Sequence, residues 1–385
     1  AGAVSQAEKL GNVRNSVEAS EIINSNEANV VQPLAAKAPN VEVTQSSGEP
    51  GASSYIRIRG QRTITGGAQP LFVVDGVPID NSSFSTSNFN PIDELGTGEI
   101  SGTTQSNRAV DINPSDIESV EILKGPAAGA IYGARAGQGV VLITTKKGRA
   151  GQTRYAWRSS VSLDDIAKKY PLQRRYGQGL FGTSALPCND INKGSCFRSW
   201  GPDLQGAATF DHSDEAYDTG VTWDNTMTVS GGSDRTTFYL SLGRLNQEGI
   251  FIGPNNTFER TTVRLNASHR LTDRLTVSGN VAYADSRGDF IGRGNNVNGL
   301  QLGLLRTPPD FNNFPYLDPA TGLHRSFRLQ NPSPLSSSDS RGFDNPIFVL
   351  HEPLNNAKVG RVFGNVNTEW LASTWLNVSH TLGAD

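Results

Sequence analysis

Cys188 and Cys196 are the only two thiols in the chain and lie close together in CNDINKGSC. In an oxidising compartment such a pair reads as a local disulfide closing a surface loop, with two free thiols or a metal pair as the alternatives. No second cysteine pair accompanies them. The five histidines, His212, His269, His324, His351 and His380, are scattered without ligand spacing, so a zinc site has no donor set. A glycine-rich stretch beside Lys124, KGPAAGAIYGARAGQG, raises phosphate binding, but its glycines fit neither the P-loop nor the dinucleotide pattern and lead into a strand, VVLITT. Close backbone packing explains these glycines better. Asp190, Asp203, Asp310 and Asp344 fall in loops, and no nucleophile-elbow serine is present. Neither catalysis nor a cofactor or metal is expected.

The chemistry left to the chain is contact chemistry. Phe84, Phe89, Trp200, Phe311, Phe314 and Tyr316 stand in loop-like segments and are candidate substrate or partner contacts. Phe343, Ile347 and Phe348 belong to the same long segment, 286–356, whose prolines limit its freedom. The alternative is that these aromatics pack within the loop itself.

Elements must hold such loops, and composition says which kind. With 34 basic and 37 acidic residues the net charge is −3, so no basic field argues for nucleic acid. The 41 glycines and 20 prolines tilt the chain toward strands and turns. No apolar run approaches the roughly 18 residues of a spanning helix, and the start, AGAVSQAEKLGN, lacks signal-peptide organisation. A membrane location would therefore require a barrel.

Residues 1–25 read as a polar tether. The apolar spacing of Val30, Val31, Leu34 and Ala35 predicts a helix over 27–37 despite Pro33. Strands are expected at 41–44, 55–59, 71–74, 119–124 and 139–145, with a tight turn at Asp75-Gly76 and a helix cap at Asn113 followed by Pro114. The intervening segment, 80–111, reads as a long polar loop. From residue 153 the pattern changes to strict alternation. Val263, Leu265 and Ala267 share one parity, and Arg264, Asn266 and Ser268 the other, as in a strand with an apolar and a wet face. Seven such strands are expected, joined alternately by short turns and by long loops at 164–220, 246–257 and 286–356. Alternating tight turns and long loops are the build of an outer-membrane barrel. Seven strands leave an unpaired edge, and the end, LGAD, has no terminal aromatic, so the chain is expected to continue beyond Asp385 and to begin before Ala1. Arg57, Arg59, Arg62, Lys124 and Arg135 are expected to make salt bridges to the barrel or to be solvated.

The strings QPLFVVDGVPI at 69–79 and INPSDIESVEILKGPAAGAIYGARAGQGVVLITTKKG at 112–148 resemble the plug domain of TonB-dependent outer-membrane receptors, most closely the SusC/RagA branch. TPPDFNNFPYLDPATG at 307–322, DNPIF at 344–348 and GRVFGNVNTEWLASTWLNVSHTLGAD resemble the third external loop and adjacent strands of that branch. The resemblance implies a membrane β-barrel, antiparallel and up-and-down, with a small mixed α/β plug in its lumen. It divides the chain into a tether at 1–25, a plug at 26–150 and the first seven or so strands at 151–385. It further implies import of a glycan or peptide nutrient across the bacterial outer membrane, with TonB, ExbB and ExbD pulling on a segment upstream of this chain. A SusD-like lipoprotein and outer-membrane lipid are the other implied partners. KGPAAGAIYG departs from many members of the branch, and Gly125-Pro126 is common in other TonB-dependent receptors. A siderophore- or vitamin-type receptor without a lid and a structural or adhesive surface barrel are the rival readings.

Overall fold

The computed structural model describes residues 14–25, 27–35, 37–45, 47–60, 69–81, 107–124, 128, 132–184, 198–292, 299–327, 344–352 and 355–385. The plug begins earlier than its composition indicates. Strand β1 (Arg14–Glu18) and helix α1 (Ala19–Ile23) occupy what reads as a tether. β1 pairs antiparallel with β6 (Ile117–Leu123), and its Val17 and the helix's Ile22 are buried in the plug core. One buried side chain per element is too weak a period for a pattern to reveal. The expected helix over 27–37 is a single 3₁₀ turn at Gln32–Leu34, because Pro33 ends any longer helix while Val30, Val31 and Leu34 all go into the core.

Strands β2 (Val41–Gln45) and β3 (Ser54–Ile58) form a separate hairpin. β4 (Leu71–Val74) and β5 (Val77–Ile79) form a second, and β7 (Val140–Thr145) pairs parallel with β4 and antiparallel with β6. The five-stranded order is β1-β6-β7-β4-β5. β4 is buried along its whole length, as its unbroken apolar run LFVV requires. The hairpin turn adopts φ 47° at Asp75 and 90° at Gly76, the left-handed pair that Asp-Gly supplies. Asp75 also fastens the turn to β7, accepting from the Thr145 amide at 2.9 Å and its hydroxyl at 2.6 Å. Asn113 caps the Pro114–Asp116 turn, its side-chain oxygen accepting from the Ser115 amide at 2.9 Å.

The remaining strands form one sheet. β8 (Gly151–Asp164), β11 (Gly220–Gly232), β12 (Thr236–Glu248), β13 (Thr257–Thr272), β14 (Leu275–Phe290), β15 (Asn355–Leu371) and β16 (Asn377–Ala384) are each antiparallel to the next. Two short strands, β9 (Gly179–Leu180) and β10 (Thr183–Ser184), lie in the first long connection. All three long connections fall at one end of the sheet and the short turns at the other, as the spacing predicts. Two of the long segments carry more structure than a loop reading allows, since helices α2 (Leu300–Arg306) and α3 (Pro346–His351) form in the third.

The sheet is polar on the inside and apolar on the outside. Tyr155, Trp157, Trp223, Leu242, Val263, Val281, Val362 and Trp370 are exposed on one face, whereas Thr226, Ser241, Arg260, Thr262, Arg264 and Asn266 are buried on the other. No helix among the described residues is long and apolar enough to cross a membrane. An outward apolar face is what a lipid-facing barrel wall requires. The inner face is not the wet face that alternation alone indicates, because the plug covers it.

Candidate functional site

The inner wall grips the plug through polar groups. Arg260 is 2% exposed and donates from one nitrogen to the main-chain oxygens of Ala28, Val110 and Ile112, at 2.9, 2.6 and 3.4 Å. Beside it, Arg264 lies 3.7 Å from both Asp75 and Asp116 of the plug. Arg361 donates to the Asp80 oxygen at 2.8 Å and approaches Asp111 at 3.4 Å, and it holds Asp385 at 2.6 Å. Arg264 and Arg361 both lie against the Phe363 ring, 5.5 and 5.3 Å from its centroid.

Further hydrogen bonds complete the grip. Tyr239 donates its hydroxyl to Asp116 at 3.0 Å, Ser286 donates to Asp111 at 3.2 Å, and Asn113 donates to Thr226 and Thr262 at 3.3 Å each. Arg158 donates to the Ile23 oxygen at 2.8 Å. Burial pushes the Asp111 carboxyl above the usual carboxylate range, against the pull of Arg108 and Arg361. The Lys146 amine is pushed down, also by burial, and donates to the Ser115 oxygen at 2.7 Å. Apolar contact joins them as well: Ala282 and Phe363 of the wall pack into the plug core, Leu245 and Phe258 pack with Val110 and Ala28, and Phe258 closes on Gly51, whose φ is 65° and where a Cβ would stand 2.3 Å from the ring. A joint built mostly of hydrogen bonds and ion pairs can exchange its partners for water when it moves, which an apolar joint of the same area cannot do at low cost.

Of the two alternatives expected for the plug's basic residues, solvation holds for three of them. The plug contributes Asp75, Asp111 and Asp116, and the barrel contributes the arginines. Arg57, Arg59 and Arg135 are exposed, and buried Lys124 bonds to the Pro39 oxygen within the plug. Arg62 lies outside the described residues. The three aspartates flank a turn, a 3₁₀ turn and a cap, positions where Asp is ordinary, so no sequence signal separates them from structural aspartates. The arginines stood on the correct face of their strands and read only as wall polarity.

A second polar layer joins the first and third long connections. Asp310 accepts from the Gln178 amide at 2.9 Å, and Gln178 donates to the Phe327 oxygen at 2.8 Å. His212 donates through Nε2 to the Pro308 oxygen at 2.9 Å and sets Nδ1 2.6 Å from Glu215. Asn313 meets the same Glu215, and Asn345 donates to the Asn313 oxygen at 2.9 Å. Asn345 caps α3, with Pro346 at its first position. An apolar cluster of Ala216, Ile291, Leu300, Leu304, Ile347, Val349 and Leu350 lies beneath. His324 stacks on Phe348 at 4.1 Å and accepts the Asn345 amide at 3.0 Å, while burial lowers its pKa to about 4.

The candidate contact residues divide within this layer. Tyr316 packs inward, stacked on His351 at 5.2 Å with its hydroxyl donating to Glu352 at 3.1 Å. Phe311 is half-buried beneath the Arg325 guanidinium. Phe314 and Trp200 remain open, 42% and 57% exposed, with Trp200 set against Tyr176. The layer thus brings Phe311, Phe314 and Tyr316 together and leaves Trp200 on the first connection. Phe84, Phe89, Cys188, Cys196 and Phe343 lie outside the described residues.

Comparison with known proteins follows the same division. Residues 6–140 match the TonB-dependent Receptor Plug Domain. The TonB-dependent receptor SusC of Bacteroides thetaiotaomicron is 28% identical over 382 residues, covering 96% of this chain and 34% of SusC. The TonB-dependent receptor P26 of Formosa agariphila is 30% identical over 309 residues, 77% of this chain and 27% of its own length. The chain thus spans about a third of the length of these relatives. The RagAB peptide importer in its "open-open" state superposes with a TM-score of 0.70 at 22% identity, over 99% of this chain and 41% of that one. A plug seated on an apolar-outside sheet, matched along nearly its whole length by SusC, places the chain in the bacterial outer membrane as a TonB-dependent receptor of the SusC/RagA family.

Proposed function

We propose that the receptor imports a glycan or peptide nutrient through the barrel when a TonB-driven pull remodels the plug. The observation that carries this reading is the polar joint. Most of the plug's apolar core is its own, joined from the wall by Ala282 and Phe363, and the charged and polar side chains of the wall hold the plug by bonds that water or substrate can replace. Import needs such a separable joint, whereas a structural barrel would gain more from apolar packing. No bond is made or broken in this scheme. Energy would come from the inner-membrane proton gradient through ExbB and ExbD. Cells lacking TonB should bind nutrient at the surface normally and lose its energised uptake. A Thr145→Cys/Asn266→Cys receptor bridged by a short bis-electrophile that alkylates both thiols should behave in the same way, because those side chains meet at 3.0 Å across the joint. Uptake unchanged in both cases overturns the reading.

The long-connection end would face outward, and its interlocked layer would receive a SusD-like lipoprotein. Phe314 is an exposed aromatic of that layer, and exposed aromatics on a braced loop furnish interface anchors. Gentle extraction should therefore co-purify a lipid-anchored partner. Phe314→Ala should weaken that association by about 1–2 kcal/mol, or roughly tenfold in affinity. A receptor that purifies alone and transports at full rate would favour a lid-free mode.

A further inference from the structure

Toward the short-turn end, between the row of Arg264 and Arg361 and a row holding Arg270 and Glu369, the inner wall carries two uncharged rows. Asn266, Asn280 and Asn365 stand side by side in register on β13, β14 and β15. Two residues further along, on the same face, Ser268, Ser278, Asn367 and Thr381 form a second row across β13 to β16. The rows line a cavity of about 370 Å³ between wall and plug. Within it, Asn266 and Asn365 hold the plug by its main chain, Asn266 donating to the Lys146 oxygen and Asn365 to the Asp75 oxygen at 3.1 Å. The Asn266 side-chain oxygen, in a residue 5% exposed, finds no partner among the described residues.

The geometry points to this belt as a track for a neutral, polyhydroxylated chain leaving the receptor, an inference that rests on the importer reading above. Amides and hydroxyls both donate and accept, as sugar hydroxyls do. Neighbouring groups are about 4.8 Å apart across the strands and about 7 Å apart along them. Each bond to such a lattice is worth only about 0.5–1.5 kcal/mol net, so a bound chain can step from row to row. Asp75 and Lys147 also line the cavity but belong to the plug and depart with it. Within the cavity a charged peptide would then lose hydration without meeting an opposite charge on the wall residues that line it, the nearest, Glu369, being engaged by Asn367 at 3.3 Å. The amides of Asn266 and Asn365 would trade plug carbonyls for substrate oxygens.

The test uses the full-length receptor in its own outer membrane and two labelled probes, a neutral linear hexasaccharide and a hexapeptide carrying two lysines. Asn280→Leu/Asn367→Leu removes two amides that make no bond to the plug among the described residues. Saccharide uptake should fall about tenfold, surface binding of the saccharide should stay unchanged, and Asn280→Gln/Asn367→Gln should restore uptake. Full saccharide uptake by the leucine variant overturns the belt, as does a wild-type receptor that takes up the peptide and excludes the saccharide. Loss of TonB provides the separate control. Saccharide uptake that needs TonB but ignores the leucine substitutions sinks the belt alone, whereas uptake indifferent to TonB sinks the importer reading.

Discussion

Replacing Arg260 with Met should loosen the plug by about 3–5 kcal/mol, the cost of removing one member of a buried charged network while its partners stay buried. The guanidinium serves three plug carbonyls on two different segments, Ala28 on one side and Val110 and Ile112 on the other. Methionine fills much of the volume and satisfies none of them. Hydrogen exchange should therefore accelerate at 28–34 and 107–117, together with greater passive permeability of the barrel. Lysine should recover only part of the loss, since its ammonium ends one bond short of the Nη1 that serves all three oxygens. Arg244→Ala supplies the contrast. Its pair with Glu259, 2.6 Å apart, is almost half exposed on both sides, so the change should be within about 1 kcal/mol. Equal exchange rates for Arg260→Met and the wild type would show that the other wall contacts hold the plug without Arg260.

Acidification should open the long-connection layer between pH 6.5 and 4. His324 is held neutral by burial, with its pKa lowered to about 4. Asn345 donates its amide to Nε2, Phe348 stacks on the ring, and Asp344 is 3.8 Å from Nδ1, too far to offset the burial by a hydrogen bond. Above pH 6.5 the imidazole is neutral whether the layer is closed or open, and the histidine imposes no cost. As the pH falls below 6.5 the open form takes a proton that the closed form refuses, so stability is lost at about 1.4 kcal/mol per pH unit and levels off near pH 4. The total approaches about 3 kcal/mol. Protease cleavage or hydrogen exchange over 299–327 should follow this curve. His324→Gln, which keeps an acceptor for the Asn345 amide and cannot titrate, should flatten it. A curve of the same shape in that variant would assign the acid response to other groups.

The seven wall strands, their register with turns and long connections, and the identity of the inner and outer faces were legible in the sequence. A barrel strand is set by a period of two, and lipid on one side forces that period to be strict. Asp75-Gly76 and Asn113-Pro114 were legible for a similar reason, since their backbone angles restrict which residues fit. What occupied the inner face was not legible. Alternation says that Arg260, Arg264, Asn266 and Arg361 point away from lipid; it cannot say whether they meet water or Asp75, Asp111 and Asp116, whose ion pairs with Arg264 and Arg361 span 148 to 250 residues of chain. β1 was hidden for the related reason that it borrows its pairing from β6, about a hundred residues on. Tyr316 and Phe314, two positions apart, looked alike as aromatic loop residues, and packing against α3 half-buried one and left the other open. Local patterns record which side of an element avoids water or seeks lipid. Which distant groups then meet is decided by the tertiary fold, because a hydrogen bond or ion pair constrains its two partners in space and leaves no periodic trace along the chain.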